Sequence, residues 1–600
     1  MRARGVAGAW ALLAVCALAA STVCALLLLL GRAPLPAALA ASLPGFRSAL
    51  VLHVSLAVVA WFLCCAAAVW SMAARAPAPR WAWGGPLLAG AGMAAMLAAL
   101  GGKGAPVLAN YVPVLASPLF VGGLLALAGG VLVAAAWAAP QLLRRRRLAP
   151  WQAGALWSML AASLAAGTLL AGLAQLGPAH DTPGYEALAW APGHLLQFVH
   201  ILLLMSLWSV LGKGLVGRRT VLALLALGAL PLLGVPLIYW SDPVGSPEFR
   251  LGFTELMRWA SWPAPAALAL RLLWSLLRGG RAALRAQLPL LLSLLLFLLG
   301  CLLGTLIRGE STMVPAHYHG TVGAVTLAYM ALGYRLLPRG APLAPWRARW
   351  QAALYGAGLL TLAGALAWSG ALGVPRKTVH AEVLVQHPAY AVAMGLAGVG
   401  GLLAVAGAAW FVLNVGSALG AARRRRVAAP LLGGAGASVL AGVLLALWPV
   451  PPPTPAQVLA SRFEAAVQLL NHRQYEPAAA AWHKVLALAP RLPEAHVNMG
   501  FTMIGLQRYP MARDFFASAI ELNSGQTNAY FGLALAQDAL GDRPGALGAM
   551  RSYVHLARAD DPFRRRANAA IWEWETERAA QITEIGNQLA GAPNPGKVRH

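Results

Sequence analysis

The chain has 600 residues, 59% of them apolar, and its mean hydropathy of +0.64 excludes an ordinary soluble protein and points to a polytopic membrane protein. Its formal net charge is +26, but the cations cluster between apolar runs, so they read as topology signals and not as a nucleic-acid surface. All five cysteines lie inside apolar runs, with no zinc spacing and no Cys-x-x-Cys-His attachment, and read as small hydrophobic side chains.

Apolar runs long enough to span a bilayer lie near 7–30, 48–74, 83–102, 112–138, 151–176, 190–212, 219–240, 256–277, 286–307, 315–337, 351–373, 385–417 and 427–449. The first is long, lacks a clear cleavage site and begins a regular series, so it reads as a span and not as a signal peptide. Residues 1–450 hold 31 of the 46 Lys and Arg but only seven acids. The basic clusters (Arg2 and Arg4, Arg75 and Arg80, Arg144 to Arg147, Arg218 and Arg219, Arg278 to Arg285, Arg335 to Arg349, Arg423 to Arg426) fall in every second connection. The acids Asp181, Glu186, Asp242, Glu248, Glu255, Glu310 and Glu382 fall in the others. An all-α transmembrane bundle of twelve or thirteen spans is expected, and thirteen spans with the N-terminus inside satisfy every cluster at once. The expected location is a bacterial cytoplasmic (inner) membrane, with the C-terminal part on the periplasmic side.

After the transmembrane domain over 1–450, a Pro-rich linker at 451–458 marks a change of composition. A 34-residue period follows: Tyr475, Tyr509 and Arg543 keep this step, as do Ala478, Ala512 and Ala546, then Trp482, Phe516 and Met550, then Leu488, Leu522 and Leu556. The stretch "QYEPAAAAWHKVLALAP" resembles the second helix of a tetratricopeptide repeat. Three repeats are expected over 459–560, with a capping helix and disordered tail over 561–600, forming an α-solenoid that docks an unknown protein or peptide partner.

Six histidines lie in or near the outer ends of the spans: His53, His194, His200, His317, His319 and His387. His53, His194 and the pair His317 and His319 open three spans that run inward, so all four fall within about the outer third of the bilayer. Ionisable groups there are functional candidates, and imidazole is a common axial ligand of haem iron. Residues two apart on a helix point roughly 200° apart, so the two histidines of His-x-His would serve two haems on opposite flanks.

These stretches carry a resemblance to the catalytic subunit of the haem–copper oxidases over about 1–420. "PAHYHGTVGAVTLAYM" looks like that family's tenth helix, "FRSALVLHVSLAVVAWFL" like its second, and "GHLLQF" like the start of its sixth. The resemblance implies two non-covalent haems, one low-spin between His53 and His319 and one high-spin on His317. It also implies a copper ligand at His194 and propionate binding by Arg376 and Lys377. The catalytic pair would be His317 and His194, the substrate a small gas (O2 or NO), and the electrons would come from a donor protein or subunit.

The chain departs from that pattern. Span 7 has no histidine pair, and the family's tyrosine and acidic residue after the sixth-helix histidine are Phe198 and Leu196 here. Tyr239 is one substitute for that tyrosine, and His180, His200 or His387 are further nitrogen donors. Copper is therefore doubtful. The inward halves of the spans offer Ser209, Lys213 and Thr305 with no carboxylate, which argues against proton pumping. The competing expectation is a non-catalytic membrane haem-binding or assembly protein that recruits partners through its repeats. A lipid-linked-sugar transferase would need acids in its first external loop, and residues 31–49 contain none. The topology predicts that a phosphatase fused after Ala456 is active, whereas a reporter that folds only in the cytoplasm stays dark there; the reverse pattern would mean one span is miscounted.

Overall fold

A computed structural model describes residues 5–32, 46–101, 104–179, 182–309, 311–337, 343–376, 388–424 and 455–590. The chain divides into two compact units, Met1–Val450 and Pro451–His600.

The first unit begins with α1 (Val6–Arg32) and α2 (Phe46–Ala74), which contains a π-helical turn at Ser55–Ala60. Next come α3 (Gly84–Ala98), a short antiparallel hairpin pairing Pro106–Val107 with Val114–Leu115, α4 (Pro118–Leu143), α5 (Pro150–Leu176) and α6 (Thr182–Leu211). The segment α7 (Arg218–Ser241) is interrupted by a 3-10 turn at Leu230–Gly234, where Pro231 removes a backbone donor. It is followed by α8 (Pro247–Ala260), α9 (Pro263–Arg278), the short α10 (Gly280–Ala286) and α11 (Leu288–Thr305). The unit closes with α12 (Met313–Leu336), α13 (Pro345–Ala371) and α14 (Pro388–Arg424). Proline at the first helical position of α4, α5, α8, α9 and α13 costs no hydrogen bond, because that N–H has no intrahelical acceptor.

Among the described residues ten helices are long and apolar enough to cross a membrane, so the chain is a multi-pass membrane protein. Two expected spans differ from that set. The run 256–277 is not one span: Trp262 and Pro263 separate α8 from α9, and Ser246 caps α8 by accepting a hydrogen bond from the Phe249 amide. The run 315–337 is a helix, α12, but its histidines and tyrosines keep it below the hydropathy of the others. It lies instead in the middle of the bundle, packed on α11, α13 and α6. The run 427–449 lies outside the described residues.

Lipid gives apolar side chains no advantage over one another, so close backbone approach has to hold such a bundle together. Gly92 and Gly123 do this between α3 and α4: a Cβ on Gly123 would come within 2.6 Å of the Gly92 carbonyl oxygen. Gly300 and Gly320 do it between α11 and α12, where a Cβ on Gly300 would sit 2.6 Å from the Thr321 amide nitrogen.

The second unit is helical throughout its described part: α15 (Pro455–Asn471), α16 (Tyr475–Leu488), α17 (Pro493–Gly505), α18 (Tyr509–Leu522), α19 (Thr527–Ala539), α20 (Arg543–Leu556) and α21 (Arg564–Ala590). Each helix packs on the next. Two of the sets that recur every 34 positions form its interior: Ala478, Ala512 and Ala546, and Trp482, Phe516 and Met550, are all buried, whereas Leu488 and Leu556 of another set are exposed.

The α11–α12 crossing generates a prediction. Gly300→Val should destabilise the membrane unit by about 1–3 kcal/mol through overpacking, seen as a lower melting temperature of the detergent-purified protein. Gly364→Ala, in the interior of α13 where a Cβ meets nothing within 4 Å, should not lower the melting temperature.

Candidate functional site

The three histidine-bearing helices α2, α6 and α12 are tied together by one aromatic ring. Phe62 on α2 packs against His200 of α6 with ring centroids 4.8 Å apart, and against Tyr329 of α12 at 5.9 Å. Trp61 adds a second contact to Tyr329 at 6.1 Å. From that common level the chain runs back nine residues to His53, six to His194 and ten to His319. At about 1.5 Å per residue these are rises of roughly 14, 9 and 15 Å along the three helix axes.

Their hydrogen bonds assign the ring tautomers. His53 Nδ1 lies 3.1 Å from both the carbonyl oxygen and the hydroxyl of Ser21 on α1. His317 Nδ1 lies 2.7 Å from the Gly300 carbonyl, across the glycine crossing of α11 and α12. A Cβ on Gly304 would come within 2.8 Å of that same Nδ1, so α11 backs the imidazole closely. His319 Nδ1 lies 2.6 Å from the Pro315 carbonyl, one turn back in its own helix. A carbonyl can only accept, so in all three rings Nδ1 carries the proton and Nε2 carries the lone pair. That is the arrangement in which a protein holds imidazole ready as an iron or zinc ligand.

His194 differs. It sits more than two turns inside α6, not at the helix opening, because residues 182–189 form two further turns before it. Its Nδ1 donates to the Trp190 carbonyl at 2.6 Å, and its Nε2 accepts from the Tyr111 hydroxyl at 2.9 Å. Tyr111, Trp190 and Phe253 surround its ring. Tyr239 does not reach it: its hydroxyl donates to the Thr168 carbonyl at 3.1 Å. His200 is buried against Phe62, and its Nδ1 has no hydrogen-bond partner. His180, His387 and Lys377 lie outside the described residues. No group of three or more His, Cys, Asp or Glu that could hold a metal ion occurs among the described residues.

The loop between α3 and α4 supplies the residue that sequence spacing alone did not single out. Tyr111 takes a left-handed backbone, φ +67°. Its neighbour Asn110 receives Arg376 Nη2 on its side-chain oxygen at 3.0 Å, and donates its own amide to Glu186 at 3.2 Å. Burial pushes the Tyr111 phenol well above its ordinary pKa; Tyr318 and Glu186 add to this, and Arg376 opposes it. Tyr318 in turn packs on the His317 ring, centroids 5.4 Å apart. Tyr111 is 83 residues from its histidine partner, and the only local hints are an isolated Asn-Tyr between turn residues and the glycine before His194.

Buried polar groups are also more numerous than a scan for carboxylates suggests. Asn414 donates to the Tyr334 hydroxyl at 3.0 Å and Gln351 to the Gly407 carbonyl at 3.1 Å. The side-chain oxygens of Gln351, Asn414 and Tyr329 are buried without a hydrogen-bond partner.

A haem–copper terminal oxidase dimer solved by cryo-electron microscopy is similar in fold, with a TM-score of 0.55 at 18% identity, covering 75% of this chain and 92% of that one. The chain has an oxidase-like membrane fold. At that identity the likeness concerns the fold alone. The solved TPR2B-domain:pHsp70 complex of yeast Sti1 covers 20% of this chain at 16% identity with a TM-score of 0.19, too low to carry an argument. No protein-family model matches the chain, and no curated protein matches it.

The Asn110 latch can be tested. Asn110→Ala removes an acceptor used by a guanidinium, a bond of the class worth about 1.5–3 kcal/mol. Amide hydrogen exchange over 104–117 should become faster, while exchange in α3 and α4 stays as it was.

Proposed function

We propose that the membrane unit is a haem-binding oxidoreductase resembling the catalytic subunit of a terminal oxidase or nitric oxide reductase. The observation that carries this reading is the shared tautomer of three imidazoles: His53, His317 and His319 each donate Nδ1–H to a backbone carbonyl. Donors of this kind fit axial ligation of haem. His53 and His319, from two helices, would hold a low-spin haem, and His317 a high-spin haem that would bind O2 or NO. Bound haem supplies a one-electron centre and, where an axial position is open, a site for a small gas. The chain's own residues orient the ligands: Ser21 holds His53, Gly300 holds His317, and the turn Pro315–His319 holds itself. Arg376, which bonds the Asn110 side chain, and Lys377 beside it in sequence would supply the cations for haem propionates. An electron-donor protein or subunit is required. The expected location remains a bacterial cytoplasmic membrane, with the repeats on the periplasmic side.

The second reading is a non-catalytic haem-binding or assembly protein. It is favoured by one observation, the engagement of both His194 nitrogens, which leaves the proposed gas site without a ready metal neighbour. In either reading the 34-residue period and the stacked helix pairs support tetratricopeptide repeats that dock a partner.

Optical spectra test the assignment. His53→Ala and His319→Ala should each abolish the sharp reduced low-spin bands, and His317→Ala should abolish carbon monoxide binding while those bands remain. Low-spin bands persisting in both of the first two variants would overturn the ligand set.

A further inference from the structure

We propose that the phenol of Tyr111, and not a metal ion, is the partner of His194, and that Tyr111 is a positioning residue locking the 104–117 hairpin onto α6. A metal ligand needs a ring nitrogen with a lone pair to give. In His194 the Nδ1 proton is committed to the Trp190 carbonyl, and the Nε2 lone pair receives the Tyr111 O–H. The ring is fully buried. A metal would have to displace the phenol and would then find no other imidazole, thiol or carboxylate completing a set of three among the described residues.

The seat of the phenol is built into the backbone. A left-handed φ of +67° is costly for a residue with a Cβ and persists only where surrounding contacts over-determine it. Those contacts are present. Asn110 is held by Glu186 of α6 and by Arg376. The Tyr111 ring packs on Trp190 at 5.4 Å and on His194 at 4.5 Å. Gly193 is shaped for it: a Cβ there would come within 2.6 Å of the Tyr111 Cβ. The Gly-His pair of α6, which in sequence resembles a metal-binding helix start, is accounted for by this tyrosine. The phenol also lies near Tyr318, the residue beside His317.

Three measurements on the full-length protein test this, and none of them reads haem. Protein purified from copper-replete cells should contain well below one copper per chain, with no change in His194→Ala. Tyr111→Phe keeps the ring and removes the hydroxyl; it should lower the melting temperature and speed amide exchange over 104–117. Diethylpyrocarbonate should leave His194 unmodified in the parent protein and modify it at least tenfold more in Tyr111→Ala, by mass spectrometry. About one copper per chain that is lost in His194→Ala would overturn the proposal, as would a Tyr111→Phe variant with unchanged melting and exchange. Absence of haem bands would instead defeat the proposed function and leave these three results standing.

Discussion

The Phe62 ring, packed between His200 and Tyr329, is the contact on which the site depends. It fixes the relative heights of α2, α6 and α12. A helix shifted by one residue moves only about 1.5 Å along its axis, but each side chain turns by about 100°. A slip of one residue would therefore aim a histidine at lipid or at a neighbouring backbone. Edge-to-face contacts of aromatic rings define rotation as well as height, which aliphatic packing does poorly. Trp61, the next residue, extends the same layer to Tyr329 and to Phe411 of α14.

Around that layer the helices are joined by small residues and by buried hydrogen bonds. Trp208 donates to Ser293, which donates to the Ala324 carbonyl, so α6, α11 and α12 share one chain of bonds. Trp70 donates to Ser158 between α2 and α5. Leaving such donors unpaired away from water would cost about 1–3 kcal/mol each, so they specify which helices are neighbours. The glycine crossing of α11 and α12 has a further effect, since it brings the Gly300 carbonyl within reach of His317. Packing and ligand tautomer are set by the same few atoms.

The second unit follows a different physical scheme. Its interior is periodic, with alanine and large apolar residues recurring at fixed steps, and its ion pairs are on the surface, as between Arg508 and Glu476 or Arg551 and Glu575. Exposed pairs of this kind contribute little to stability, so the stacked apolar layers carry it. Gly500 and Gly532 leave room for the Phe516 ring, which fills the space between successive helix pairs.

The sequence alone specified the membrane class, because long apolar runs have no other way to satisfy their backbone groups away from water. It also specified the repeat period, because buried positions must recur wherever identical units stack, and it identified His53, His317 and His319 as the unusual polar residues of those runs. Tertiary structure decided what periodicity does not encode. It showed that 256–277 is two helices and that α12 is central despite its low hydropathy. It also showed that His194 is engaged on both nitrogens by groups from its own helix and from a loop 83 residues away. A hydrogen bond depends on the position of one atom to within a few tenths of an ångström. That position is fixed by three elements distant in sequence: the hairpin carrying Tyr111, the α6 turn of Trp190 and Gly193, and Arg376 after α13. No local pattern could have placed it.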